Sequence, residues 1–139
     1  MSNGKVVFEL TKHNGSVNWI DIKKETLLSG SDDGSIKMWK LNQTDPASDH
    51  FTLLSHTDAV IQVKFAPKDR FISASKDNTI RIWKQSTREC LHVLDSHSAC
   101  VQTFSLTPQH IGSFFHSFSF PFLFFLFPFF SPYFLRKTK

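Results

Sequence analysis

Apolar and polar residues alternate along this chain in short runs punctuated by tight turns. Leu27-Leu28-Ser29-Gly30-Ser31 and Phe71-Ile72-Ser73-Ala74-Ser75 are half-apolar stretches of strand character, followed by Asp33-Gly34 and Asp77-Asn78. Asp-Gly and Asp-Asn tolerate the positive φ of two-residue hairpin turns. Ile36/Met38 and Ile80/Ile82 then open the next strands with the same alternation. Lys5 to Leu10 and Glu89 to Leu94 read as outer strands, and the polar, turn-rich stretch between Lys40 and Phe51 reads as a longer exposed loop.

The pattern repeats. His13, His56 and His97 are separated by 43 and 41 residues, and each is followed by apolar residues at +4, +7 and +9: Val17/Ile20/Ile22, Val60/Val63/Phe65 and Val101/Phe104/Leu106. Ser31-Asp32-Asp33-Gly34-Ser35-Ile36-Lys37-Met38-Trp39-Lys40 aligns with Ser75-Lys76-Asp77-Asn78-Thr79-Ile80-Arg81-Ile82-Trp83-Lys84. His-to-Asp spacing is 20 then 21 residues, and His-to-Trp spacing is 26 then 27. A self-similar period of about 40–45 residues with this order of marker residues resembles the WD-repeat family, whose units are four-stranded blades of a β-propeller. The family's Gly-His stands here as Lys12-His13, Ser55-His56 and Ser96-His97, and its Trp-Asp as Trp39-Lys40 and Trp83-Lys84.

The fold expected is therefore all-β: a partial WD-repeat β-propeller of two four-stranded blades plus edge strands, followed by a low-complexity Phe-rich tail. Residues 1–110 form the WD-repeat region, with repeats at about 12–54 and 55–96 and a partial third at 97–110. Residues 111–139 fall outside it. The third copy lacks Asp and Trp at the expected offsets, where Ser117, Phe118, Leu123 and Phe124 stand, so the blade is expected to stop after its first strand. Two blades and a strand are not expected to close as a stable monomer, because repeats bury their core against neighbours and open edges invite association.

The resemblance implies that His13, Ser29, Asp33 and Trp39, and likewise His56, Ser73, Asp77 and Trp83, form hydrogen-bonded tetrads that brace each blade. Ser31 and Ser75 are alternatives for the serine role. A catalytic reading of Ser, His and Asp is disfavoured: the serines lie inside expected strands, no Gly-x-Ser-x-Gly elbow occurs, and the set is present twice. The resemblance also places partner contacts on the top face, pointing to Ser16, Asn18 and Asp32 in the first blade and Ala59, Ile61 and Lys76 in the second. Trp19 is read as a strand aromatic filling space between blades, with an exposed anchor as the alternative.

Composition changes this picture in three ways. The net charge of +4 shrinks to +1 over residues 1–110, where 13 Lys/Arg are interspersed with all 12 Asp/Glu, so direct nucleic-acid binding is not expected. Two cysteines, Cys90 and Cys100, without a zinc-type Cys/His cluster or a signal-peptide pattern, point to free thiols in the cytoplasm or nucleus and to no metal. From Ser113 to Leu135 the chain is almost entirely Phe, Ser, Pro and Leu and holds 11 of the 16 phenylalanines. Three readings stay open for that tail. It is a truncated or mis-spliced frame, a membrane anchor flanked by Arg136 and Lys137, or a disordered adhesive segment; Pro121, Pro128 and Pro132 oppose a spanning helix.

The function expected is a non-catalytic protein–protein interaction scaffold without a cofactor or small-molecule substrate, as a fragment of a larger propeller protein. The alternatives are a membrane-tethered fragment held by the tail and a subunit of a ribonucleoprotein or pre-rRNA-processing complex.

Overall fold

The computed structural model of the chain describes residues 9–42, 45, 50–95, 99–106, 110–115 and 125–128. Within them the hairpin signals become three antiparallel sheets. The first contains β1 (Val17–Lys23), β2 (Thr26–Ser31), β3 (Ser35–Lys40) and β4 (His50–Leu54), in the order β1-β2-β3-β4. The second repeats it with β5 (Val60–Ala66), β6 (Arg70–Ser75), β7 (Ile80–Lys84) and β8 (Cys90–Leu94). The β2–β3 and β6–β7 turns use the left-handed residues their sequences supply, Gly34 at φ 75° and Asn78 at φ 68°.

The third sheet contains β9 (Val101–Leu106), β10 (His110–Phe115) and β11 (Phe125–Pro128), ordered β11-β10-β9. This differs from the expectation that the blade stops after its first strand. Ile111 pairs with Leu106 and Ser113 with Phe104, so the ladder crosses the compositional boundary. The physical reason is that a strand needs only backbone donors, backbone acceptors and an extended chain. Ser113 therefore stands opposite Phe104 as Ser73 stands opposite Val63, although the third copy lacks its Asp and Trp. The remaining tail, including Arg136 and Lys137, lies outside the described residues. So do Lys5 to Phe8 and His97. No helix among the described residues is long and apolar enough to cross a membrane.

The core lies between sheets. Leu28, Ile36 and Met38 of the first sheet meet Val60, Val63, Phe71 and Trp83 of the second. Ala66, Ile72, Ala74 and Ile80 of the second meet Val101 and Phe104 of the third. The first two sheets approach closely at Gly30, where a Cβ would stand 2.6 Å from Val60 Cγ1. Polar ties cross the same junctions: Asp21 Oδ2 accepts from Phe65 N at 2.7 Å, and Gln62 Oε1 accepts from Thr103 Oγ1 at 2.9 Å and Phe104 N at 2.8 Å. At the outer rim, the Arg88 guanidinium lies 3.3 Å from the centroid of the Phe51 ring. Phe51 is in β4, which begins at His50, the last residue of the stretch read as a loop.

Candidate functional site

In the first sheet β2 holds Ser29, β3 holds Trp39, and the loop before β1 brings His13 over them. Trp39 Nε1 donates to Ser29 Oγ at 2.9 Å, and His13 Nε2 lies 2.7 Å from the same Oγ. His13 Nδ1 lies 3.0 Å from Asp33 Oδ2. The second sheet repeats the arrangement, with Trp83 to Ser73 at 2.9 Å, His56 to Ser73 at 2.7 Å and His56 to Asp77 at 2.8 Å. The structure thus brings all eight residues together as two sets of four. Proton counting fixes the direction: indole N–H donates to serine, serine O–H to Nε2, and Nδ1–H to the carboxylate. Both imidazoles are neutral in this chain of donors.

Sequence reasoning missed a fifth member in each set. Ser35 Oγ donates to Asp33 Oδ1 at 2.6 Å and Thr79 Oγ1 to Asp77 Oδ1 at 2.7 Å, while their backbone N–H groups reach the same oxygens at 2.9 and 3.0 Å. The available signal was a hydroxyl two residues after the Asp in both copies. Ser31 and Ser75 do not take the tetrad role; each Oγ accepts from the backbone N–H of the Asp two residues on, at 3.2 and 3.1 Å.

The charge state follows from this wiring. Burial is the largest single influence on each carboxyl and opposes ionisation. Donors outweigh it together: Ser35, Asn14 and His13 hold Asp33 well below the usual carboxylate range, and Thr79, His56 and Thr57 bring Asp77 down to about 2. For both histidines burial pushes the pKa below 6.5 against the raising effect of the carboxylate, with Lys37 and His50 also lowering His13, and Arg81 lowering His56. A neutral His, a carboxylate and a serine in hydrogen-bonded order is the wiring of nucleophilic catalysis, but attack requires an accessible Oγ. Ser29 is 3% exposed and Ser73 0%, and each Oγ is already engaged by an indole. No group of metal-ligating side chains occurs among the described residues.

The rim residues are held by the same loops. Asn18 and Ile61 occupy the register shift that opens β1 and β5, at bulges that turn a side chain out of the regular alternation. Asn18 Nδ2 donates to Asp32 Oδ1 at 2.8 Å and to Val60 O at 3.0 Å, and Asp32 N donates to Ser16 O at 2.9 Å, so the three first-blade candidates form one exposed, connected patch. In the second blade Lys76 is exposed and Ile61 half-buried, but Ala59 is only 4% exposed. Its place as a candidate contact is corrected: its carbonyl binds Lys76 N at 3.0 Å and its methyl faces inward, so it shapes the loop without presenting a side chain. Trp19, read as interblade packing with an exposed anchor as the alternative, is 44% exposed on β1, an edge strand of its sheet.

Comparison with known proteins follows the same two units. The family pattern described as "WD domain, G-beta repeat" matches residues 4–40 and 48–84. The chain is 34% identical over 100 residues to WD repeat-containing protein pop2 of Schizosaccharomyces pombe, covering 60% of this chain and 14% of that protein. It is also 34% identical over 77 residues to Ribosome biogenesis protein YTM1 of Eremothecium gossypii, covering 55% of this chain and 16% of that one. It therefore spans about a seventh of these relatives' lengths. Among solved structures it is similar to the WD40 β-propeller domain of Doa1, with TM-score 0.65, 23% identity, and coverage of 77% of this chain and 35% of that one. The designed protein Ika4 is another neighbour, with TM-score 0.70, 21% identity, and coverage of 80% and 67%.

Proposed function

From the membership of this chain in the WD-repeat family, we propose that it acts as a non-catalytic protein–protein interaction scaffold of the cytoplasm or nucleus, with its partner face on the rim around Ser16, Asn18, Asp32, Ile61 and Lys76. The observation that carries this reading is the division of labour between two adjacent layers. The chemically capable residues are sealed inside the sheets as bracing, while the polar residues immediately above them are exposed on a rigid frame. Loops fixed by a scaffold are where binding residues concentrate. The free thiols of Cys90 and Cys100 are consistent with a reducing compartment.

The test is paired. Asp32→Arg with Lys76→Glu reverses the rim charge without touching a tetrad. It should abolish stoichiometric co-purification of the protein's partners while leaving the melting temperature unchanged. Partners retained at wild-type levels by the double variant would refute the rim assignment. Similarity to a ribosome biogenesis protein favours one second reading, membership of a ribonucleoprotein complex through protein contacts. RNase-sensitive co-sedimentation with large particles is its expected signature, and sedimentation independent of RNA excludes it.

A further inference from the structure

Basic residues that are interspersed with carboxylates along the chain are sorted by strand direction to one end of the first two sheets. β1 and β3 end on Lys23 and Lys40, and the β1–β2 turn adds Lys24. In the second sheet β7 ends on Lys84, β6 begins at Arg70, the turn before it holds Lys68, and the β7–β8 loop holds Arg88. Two contacts join these ends into one surface: Lys23 Nζ donates to Ala66 O at 3.5 Å, and Arg88 lies over the Phe51 ring. Lys24, Lys40, Lys68, Lys84 and Arg88 are exposed. Two carboxylates beside them are engaged within their own loop, Asp69 by Ser86 N and Glu89 by Thr87 Oγ1. The other end of the sheets, at the rim, carries Asp32, Asp33, Asp58 and Asp77.

Backbone conformation points the same way. Lys24, Lys68 and Arg88 hold φ at 55°, 60° and 63°, the left-handed region in which a Cβ is strained. At the rim end the hairpin turns meet the same demand with Gly34 and Asn78. The basic end keeps a cation at positions where glycine or asparagine would relax the chain. Strain of this kind marks residues held for another requirement.

We propose that this basic end binds an acidic, Asp/Glu-rich segment of a partner protein, on the face opposite the rim and independently of it. Complementary charge selects such a partner. Arg88, stacked on Phe51, has its fork of N–H donors held in place for a carboxylate. A nucleic acid fits less well. The guanidinium caps the ring on which a base would stack, and Glu25, Asp69 and Glu89 interrupt the track that a phosphate backbone would follow.

Fluorescence anisotropy of a labelled Glu/Ser peptide, titrated with the full chain, should show saturable binding that weakens as salt is added. Lys24→Glu with Lys84→Glu, one exposed charge from each blade, should weaken it about tenfold. The rim pair Asp32→Arg with Lys76→Glu should bind the peptide as the wild type does, so this surface and the rim fail separately. Lys24→Asn removes a charge and relieves a left-handed lysine; its affinity should fall while its melting temperature holds or rises. No binding of the peptide, undiminished binding by the Lys24/Lys84 variant, loss of binding in the rim pair, or a lower melting temperature of Lys24→Asn would each overturn the proposal. So would tighter binding to oligouridylate RNA or to phosphatidylserine vesicles than to the peptide.

Discussion

Replacing Asp77 by alanine isolates the central energetic element of the second blade. The His56 and Asp77 side chains are 0% and 5% exposed, so water cannot replace the lost carboxylate. His56 Nδ1–H keeps only the longer contact to Thr79 Oγ1, at 3.3 Å, in place of the carboxylate, which costs about 1–3 kcal/mol. Thr79 also loses the acceptor for its hydroxyl and its backbone N–H. Thr57 N is exposed and can turn to solvent, so it adds little. The sum is about 3 kcal/mol, a large part of the roughly 5–15 kcal/mol that holds a typical domain together. Asp33→Ala in the first blade should cost less, about 1–2 kcal/mol, because Asp33 is 15% exposed and water can reach the vacated site. Urea unfolding followed by circular dichroism and tryptophan emission measures both. A double-mutant cycle with His56→Ala should return a coupling of about 1–3 kcal/mol. An Asp77→Ala cost within about 0.5 kcal/mol of zero, the reverse order of the two blades, or additivity of His56→Ala and Asp77→Ala would refute the reasoning.

Other outcomes follow from the same geometry. Both histidines have folded pKa values depressed below 6.5, so the unfolded chain binds more protons as acid is added. Their stabilisation is complete above the unfolded value near 6.5 and is lost as pH falls from there toward the folded values. The urea midpoint should therefore drop between neutrality and pH 5, and a midpoint flat over that window would contradict neutral buried imidazoles. The depressed carboxyls of Asp33 and Asp77 act in the same direction below about pH 4. Gly30→Ala drives a Cβ against Val60 and should cost about 1–3 kcal/mol by overpacking; Val60→Ala should recover part of it, and a silent Gly30→Ala would show that the sheets are further apart. Arg88→Ala should cost about 0.5–2 kcal/mol through loss of its stacking on Phe51, and an equal loss when Phe51 is already leucine would show that the ring is not its partner.

Periodicity made the two complete blades legible because a strand announces itself by alternation and a hairpin by the residue that accepts positive φ, here Gly34 and Asn78. The tetrads were legible for a different reason: a buried polar network needs every member, so His, Ser, Asp and Trp recur at fixed offsets. Ser35 and Thr79 escaped notice because a hydroxyl two residues after an Asp is also an ordinary turn residue. Ala59 was misplaced because equivalence in sequence identifies a loop position but not which side of the loop its side chain takes. Trp19 kept two readings in sequence, packing and exposed anchor, because its environment depends on tertiary neighbours of the first sheet that no local pattern encodes. The third sheet beyond 110 was hidden by composition, since strand pairing is a backbone property and a run rich in Phe and Ser keeps all the donors it needs.

In both blades the Ser–His–Asp–Trp sets are sealed bracing and not reactive groups. Hydrogen exchange of the three tryptophan indole N–H groups, read by nitrogen-15 NMR, tests it most directly. Trp39 and Trp83 donate to Ser29 and Ser73 from buried positions and should exchange only on unfolding of their sheets, while Trp19, 44% exposed, should exchange rapidly in dilute protein. Ser73→Ala should release Trp83 and leave Trp39 protected. Fast exchange of all three indoles in the native chain, or protection of Trp83 undiminished by Ser73→Ala, would contradict it.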